Sequence, residues 1–525
     1  MNHRLLRAFA AIAVVAVLGT LAACASGPAN SIKLGWVGDL PPLDPAASAS
    51  VSSFALLSQV YPSLLTVEAG DSVPVPDLAV SADWTADGVY TVVLKTGLKF
   101  ANGDDLTTSD VQFSIERQLA LQSEDGAWRQ LGNISTVVPV TATTIEFHLK
   151  TATDASFPYV LAGPAGLILD EEQFFADELT SDADILTAKP FAGPFTLSGD
   201  RAGTLTLTPY DQYAGIGVAA FVIELHSGTS ADLATQLHGG SIDALTGRMD
   251  ADTITQLAAD QAVLMTRAAS GRTRLLAFDF EHMPFGTKDA SPDEGKALAI
   301  RTAIADVIDR SALALSIGGS WVRPLGGYLP DGVPGVSTVV AGLYGDGKGG
   351  PAVETATQLL AAAGIATPLA FSIHVDLDAV GDPGSAEVAG IAAQLEATGL
   401  FTVNVITTDS AGLDKASAAG EVQAKFISVL PANSDPLGYL TPFRTGGPIA
   451  TGYTDTDVDA LLSSLSLELD PGRRAQGLTD VQALIAAKLP AIPIGQGVRV
   501  VFAGSSIQAV RLDDSLPLEL NRLMR

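Results

Sequence analysis

Cysteine is almost absent from this chain: Cys24 stands alone among 525 residues. That excludes a disulfide framework, an iron–sulfur cluster and a thiolate zinc site built within one chain. Histidine is nearly as scarce. His3, His148, His226, His238, His282 and His374 are scattered without a short-spaced pair, so no motif supports imidazole metal ligation. Cations are outnumbered, 30 Lys and Arg against 58 Asp and Glu, for a formal net charge of −28. A phosphate backbone demands clustered Lys and Arg, so nucleic acid is excluded as a partner. Neither H-E-x-x-H nor G-x-S-x-G occurs, which removes the two commonest hydrolase signatures. The chain is therefore expected to be no enzyme and to carry no metal or cofactor. At 47% hydrophobic and 17% charged it is also too apolar for disorder.

What is present begins with the surroundings of that cysteine. Arg4 and Arg7 precede an uncharged run, AFAAIAVVAVLGTLAA, from Ala8 to Ala23. A basic segment followed by an apolar one is the pattern of a secretory signal. Its 16 residues would span about 24 Å as a helix, short of the roughly 30 Å bilayer core. Leu21-Ala22-Ala23-Cys24 resembles a bacterial lipobox, which implies that Cys24 is lipidated and becomes the new N-terminus. Residues 1–23 are thus expected to be a lipoprotein signal peptide and 24–31 a tether. No later stretch is long and apolar enough to span a membrane.

The remainder alternates strand and helix patterns. Strands are expected at Ile32–Val37, Val89–Leu94, Thr144–Leu149, Thr204–Thr208, Phe221–Leu225, Phe371–Val375 and Thr402–Thr407. Helices are expected at Ser52–Leu65, Ser109–Leu121, Glu294–Ile308, Val353–Ala363, Glu387–Thr398, Asp457–Leu467 and Gly477–Lys488. Ser109 or Asp110 would cap the second of these helices. Such mixing gives an α/β or α+β class. Gly345–Gly350 lacks the Gly-Lys-Ser/Thr ending of a phosphate loop. Asp376–Gly381 lacks the closing Glu of a calcium loop. Both are set aside.

Tyr90 to Leu119 reads YTVVLKTGLKFANGDDLTTSDVQFSIERQL. Lys99-Phe100, the Asn102-Gly103 turn, Thr108-x-Asp110-Val111 and Arg117 closely resemble the signature of bacterial extracellular solute-binding proteins of family 5, the peptide- and nickel-type receptors of ABC importers. The likeness continues in Leu43-Asp44-Pro45, Val60–Leu65, Pro76–Trp84, Gly193–Phe195, Leu237–Ala244, Ile300–Arg310, Gly452-Tyr453, Val458–Leu462 and Leu489–Pro493. It implies a periplasmic-binding-protein-like α/β fold of class II, peptide-receptor type: two lobes joined by a hinge, plus an extra domain. By position, lobe I takes residues 32–65, 188–278 and 493–525, the extra domain 66–187, and lobe II 279–492.

The resemblance further implies a monomeric receptor, lipid-anchored at the outer face of the cytoplasmic membrane. It would capture a peptide or small polar solute between its lobes and deliver it to ABC permease subunits. Peptide-binding relatives carry a Trp seven residues and an Asp four residues before a late Asp-Pro; here those positions are Val429 and Ala432. The expected ligand contacts are accordingly Asn433, Ser434 and Asp435, with Trp36, Trp128 and Trp321. The missing anchors leave open a non-peptide ligand (an oligosaccharide, an opine or a metal–chelate complex) and a non-transporting sensor or interaction lipoprotein.

Overall fold

Ile32, Leu34 and Trp36 alternate along the first strand, β1 (Ser31–Val37), and all three face one apolar core. The computed structural model describes residues 31–525 except 69–72, 201–203, 217–220, 317–321, 508, 511, 513–519, 521–522 and 525. The signal-like segment, Cys24, the tether to residue 30 and Trp321 lie outside the described residues.

A four-stranded antiparallel sheet follows, in the order β2-β3-β5-β4. Its strands are β2 (Ala79–Ala86), β3 (Val89–Leu94), β4 (Ile134–Pro139) and β5 (Thr144–Leu149). Alternation in β3 and β5 turns Tyr90, Val92, Ile145 and Phe147 onto one face, where Val111 and Ile115 of α1 (Thr108–Leu121) complete a core. The expected cap of α1, Ser109 or Asp110, is corrected to Thr107, two or three residues earlier. The Thr107 hydroxyl accepts from Ser109 N at 3.1 Å, and Asp110 reaches back to accept from Thr107 N at 2.8 Å. This reciprocal pair satisfies two N–H groups that the helix itself leaves free.

The remaining labelled strands are β6 (Phe195–Gly199), β7 (Thr204–Pro209), β8 (Val222–Gly228), β9 (Ala244–Gly247), β10 (Leu264–Phe278), β11 (Val322–Pro324), β12 (Leu369–Asp376), β13 (Phe401–Thr408), β14 (Ala424–Val429) and β15 (Ala491–Ala503). They form, with β1, an eleven-stranded sheet among the described residues. Its order is β13-β12-β14-β10-β15-β9-β1-β8-β7-β6, with β11 on β15. The two longest strands, β10 and β15, sit in the middle. Leu264–Ala269 of β10 pairs with Ala503–Val498, and after a register shift Thr273–Ala277 pairs with Gln496–Ala491. Beyond the shift β10 also pairs with β14, whereas β9 pairs with the other end of β15. One strand pair thus carries the sheet from one lobe to the other. The sequence pattern missed β10 and most of β15 because β15 is buried almost throughout, so polar and apolar residues do not alternate.

Other boundaries differ for local reasons. The helical segment α2 (Leu377–Ala397) begins ten residues before the expected Glu387 and is broken at Gly381, where φ is +63 and ψ −170, so a short first helix precedes the one holding Glu387. Asp376 caps it, accepting from Asp378 N and Ala379 N at 2.9 and 3.3 Å. The helix α3 (Pro471–Lys488) likewise begins ahead of Gly477, with Pro471 in its first turn and Asp470 as its cap.

Several motif residues prove to be buried charges. Arg117 holds Asp44 through two parallel bonds of 2.9 and 2.6 Å. Arg301 is fully buried, lies 4.1 Å over the Phe280 ring and bonds Glu294 at 2.7 Å. Arg474 of α3 pairs with Asp435 at 2.9 Å.

Candidate functional site: a crevice at the hinge

In an open sheet, ligands sit outside the carboxyl ends of parallel strands where strand order reverses. Two such points exist here. β1 runs parallel between β8 and β9, and β12 parallel between β13 and β14. β9 lies antiparallel to β15 with Leu245 opposite Phe502, so its carboxyl end points toward the register shift. β14 lies antiparallel to β10 with Val429 opposite Thr273, so its carboxyl end points there too. The carboxyl ends of both lobes therefore converge on Ser270–Arg272 of β10 and Gln496–Gly497 of β15.

Glycine and a glutamine shape this junction. Gly247 has φ +118, and a Cβ on it would lie 2.9 Å from Val37 N. Only glycine lets the end of β9 close against β1. Gln496 is fully buried; its amide donates to Ser270 O at 2.9 Å and accepts from Asp331 N at 3.0 Å. The Tyr439 hydroxyl donates to Gly271 O. Arg272 of β10 donates to Ser428 Oγ of β14 at 3.1 Å. Its guanidinium is held below its ordinary pKa by burial of the charged end and by the like charges of Arg248 and Arg274. Arg274 is buried and ion-paired with the fully buried Glu387 of α2.

The residues expected from sequence fall in different places. Trp36 is 6% exposed and packs into the core with Ile32 and Leu34. Trp128 is half-buried in a short turn; its indole N–H donates to Ser123 O at 3.0 Å, and Arg129 stacks 4.6 Å over its ring. Asn433, in the loop after β14, donates to Gln130 Oε1 at 3.2 Å. That bond joins the loop to the turn carrying Trp128, so these two expected contacts share one neighbourhood. Ser434 is half-buried in the same loop. Asp435 is 3% exposed and committed to Arg474 and to Leu437 N. A carboxylate so engaged holds a buried guanidinium in place. A pocket of about 420 Å³ opens beside this loop, lined by Ser156, Pro431, Ala432, Asn433, Asp435 and Thr441 among others.

Sequence reasoning missed Arg248, Arg272 and Ser428. The doublet Arg272-x-Arg274 in a chain poor in cations was the available signal.

Asp110, Asp170 and Glu172 bring carboxylate oxygens within 4.8 Å of one another. The Asp110 oxygens accept from Thr107 N and Glu171 N, and Asp170 accepts from the Asn102 amide. Burial chiefly, with neighbouring acids, raises Asp110 to about 6 and Asp170 to about 7.

The fold is that of a two-lobed solute-binding protein. Residues 73–451 match the model of the bacterial extracellular solute-binding proteins, family 5 Middle, and the chain belongs to that family. The family and the fold are those of binding proteins. The "Dipeptide-binding protein" of Lactococcus lactis subsp. cremoris is 25% identical over 348 residues, 60% of this chain and 61% of the relative's length. Among solved structures, HbpA2 from Haemophilus parasuis superposes with a TM-score of 0.75 at 21% identity, covering 91% of this chain and 96% of that one. DppA from Helicobacter pylori in complex with the peptide STSA gives 0.67 at 20%, covering 94% and 98%. AgaA in complex with agropinic acid, from A. tumefaciens R10, gives 0.65 at 20%, covering 93% and 96%. No helix among the described residues is long and apolar enough to cross a membrane.

Proposed function

We propose that this chain is the solute-capturing receptor of an ABC importer, without catalytic activity of its own. A peptide or similarly sized polar solute enters the crevice between the lobes. The lobes then bend about the β10–β15 strand pair and close over it. The observation that carries this reading is the convergence of both lobes' strand ends on a single two-strand connection. Closure needs ligand contacts that exist only in the closed state, and the closed form would dock on a membrane permease. Cys24 supplies a lipid anchor that raises the receptor's local concentration at the membrane. The lobe boundaries at 65, 187, 278 and 492 are part of the same proposal.

A non-peptide ligand is the second reading. Val429 and Ala432 stand where peptide-binding relatives carry Trp and Asp, and Asp435 is committed to Arg474. Proteins of this fold include DppA in complex with a peptide and AgaA in complex with agropinic acid. Thermal-shift screening separates the two readings. Stabilisation by di- to hexapeptide pools supports the peptide; stabilisation only by sugars, opines or chelates supports the alternative. Scattering should show compaction on binding, and its absence with a tight ligand would refute hinge closure. Labelling with radioactive palmitate, lost in Cys24→Ala, tests the anchor.

A further inference from the structure

The crevice carries positive charge in a chain with a formal net charge of −28. Arg248 follows the carboxyl end of β9 in lobe I; it is exposed and has no hydrogen bond or ion pair among the described residues. Arg272 belongs to the β10 side of the junction, and among the described residues its side chain makes one hydrogen bond, to the Ser428 hydroxyl of β14. The charges bearing on Arg272 are those of Arg248 and Arg274, with the Tyr439 hydroxyl, and no carboxylate is among them. Arg274 has its one partner in Glu387, and its Nε is buried without a hydrogen bond. Arg274 is offset by Glu387, but Arg248 and Arg272 have no carboxylate partner among the described residues; such like charges raise the free energy of the empty site, and an anion placed there lowers it.

The acids nearby are otherwise engaged. Asp250 caps the helix Ala251–Ala259, accepting from Thr253 N at 2.7 Å. Asp376 caps α2 and accepts from Ser410 Oγ at 2.6 Å. Asp435 holds Arg474. Two exposed acids remain at this junction: Asp39, just beyond β1, and Asp331, whose N–H donates to Gln496.

We propose that the solute is an anion bearing a carboxylate or phosphate group, which bridges Arg248 to Arg272 and Ser428, and that no free ammonium group is needed for its capture. Arg248 stands on one lobe and Ser428 on the other, so this bridge is also the contact that favours closure. The inference rests on the receptor reading above and narrows its substrate class.

The test uses calorimetry on the full chain, solubilised in detergent. The probes are inorganic phosphate, citrate, N-acetyl-Ala-Glu and the free-amine dipeptide Ala-Ala, at about 0.05 and 0.3 M NaCl. At least one anion should bind, with affinity falling as salt rises. Phosphate against the two carboxylates tells which anion the site takes. Arg248→Gln and Arg272→Gln should each weaken that anion roughly tenfold or more, the loss of a charge-assisted contact. Neither should lower the unfolding temperature, because neither side chain makes an ion pair among the described residues and each change relieves like-charge repulsion. Anion binding that both variants retain overturns the proposal. So does Ala-Ala binding more tightly than any anion and losing that affinity in Asp39→Asn. A neutral sugar as the sole ligand overturns the anion but leaves the receptor intact; if peptides, sugars, opines, chelates and anions all fail, the receptor reading falls and takes the inference with it.

Discussion

Replacing Arg117 by Leu should be among the most damaging single changes in this protein. Arg117 and Asp44 lie 73 positions apart and are 0% and 2% exposed at their side chains. The guanidinium gives two bonds to Asp44, one of 2.6 Å to Phe175 O and one of 2.9 Å to Glu178 O. It also lies 5.4 Å over the Phe174 ring. Asp44 accepts further bonds from Ala46 N and Thr180 N, at 2.9 and 2.8 Å. Leucine leaves a buried carboxylate without its cation and two carbonyls without a donor. Breaking one side of a buried pair costs about 3–5 kcal/mol. The orphaned carbonyls add to this, though not in full. Against a typical stability of about 5–15 kcal/mol this is a large fraction. Urea unfolding followed by tryptophan fluorescence and far-UV circular dichroism measures it. The partner change Asp44→Leu should cost a similar amount. The double variant should cost clearly less than the sum, because no buried charge is then left alone. Arg117→Lys should fail to rescue, since an ammonium cannot serve the same fork of acceptors. A loss below about 1 kcal/mol in Arg117→Leu, or strict additivity in the double variant, would refute the reasoning.

Other outcomes follow from the same geometry. Gly247→Ala should destabilise by about 1–3 kcal/mol, since φ is +118 and the new Cβ meets Val37 N; denaturant midpoints check it. Asp435→Asn should lower stability by about 3 kcal/mol or more by stranding Arg474; an unchanged midpoint with lost ligand affinity would instead make Asp435 a direct contact. Asp110 and Asp170 have folded pKa values of about 6 and about 7, raised from an ordinary 3.8. The folded state binds more protons between those values, so their contribution is full below 3.8 and is lost as pH rises through 6 to 7. The unfolding temperature should accordingly fall between pH 5 and 7.5, and Asp170→Asn should flatten that slope. Trp128→Ala and Asn433→Ala should each weaken whichever ligand screening finds; unchanged affinity in both would remove that loop from the site.

The local elements were legible because their signals are local. Strand β1 and strands β3 and β5 show the alternation that a half-buried strand requires, and they fell within a residue of expectation. Helix starts were less legible. The caps at Thr107, Asp376 and Asp470 lie upstream of the apolar repeat that marks each helix. Trp36 looked like a candidate contact because it ends a strand at a crevice. Its side chain instead follows Ile32 and Leu34 to the core face, as a period of two dictates.

The sequence by itself determined the family and, through motifs spread over most of the chain, the two-lobed α/β fold. Composition alone argues against a thiolate metal site within the chain and against nucleic acid as a partner. Only the tertiary structure showed why the motif residues are there. Asp44 and Arg117, or Asp435 and Arg474, are partners across 73 and 39 positions that no local pattern links. It also revealed the register shift between β10 and β15, which only their pairing shows. And it brought Arg272 to Ser428, with Arg248 near enough to act on Arg272 electrostatically. Electrostatic effects depend on distance in space, and a chain's bulk charge carries no record of which of its few cations have been folded together.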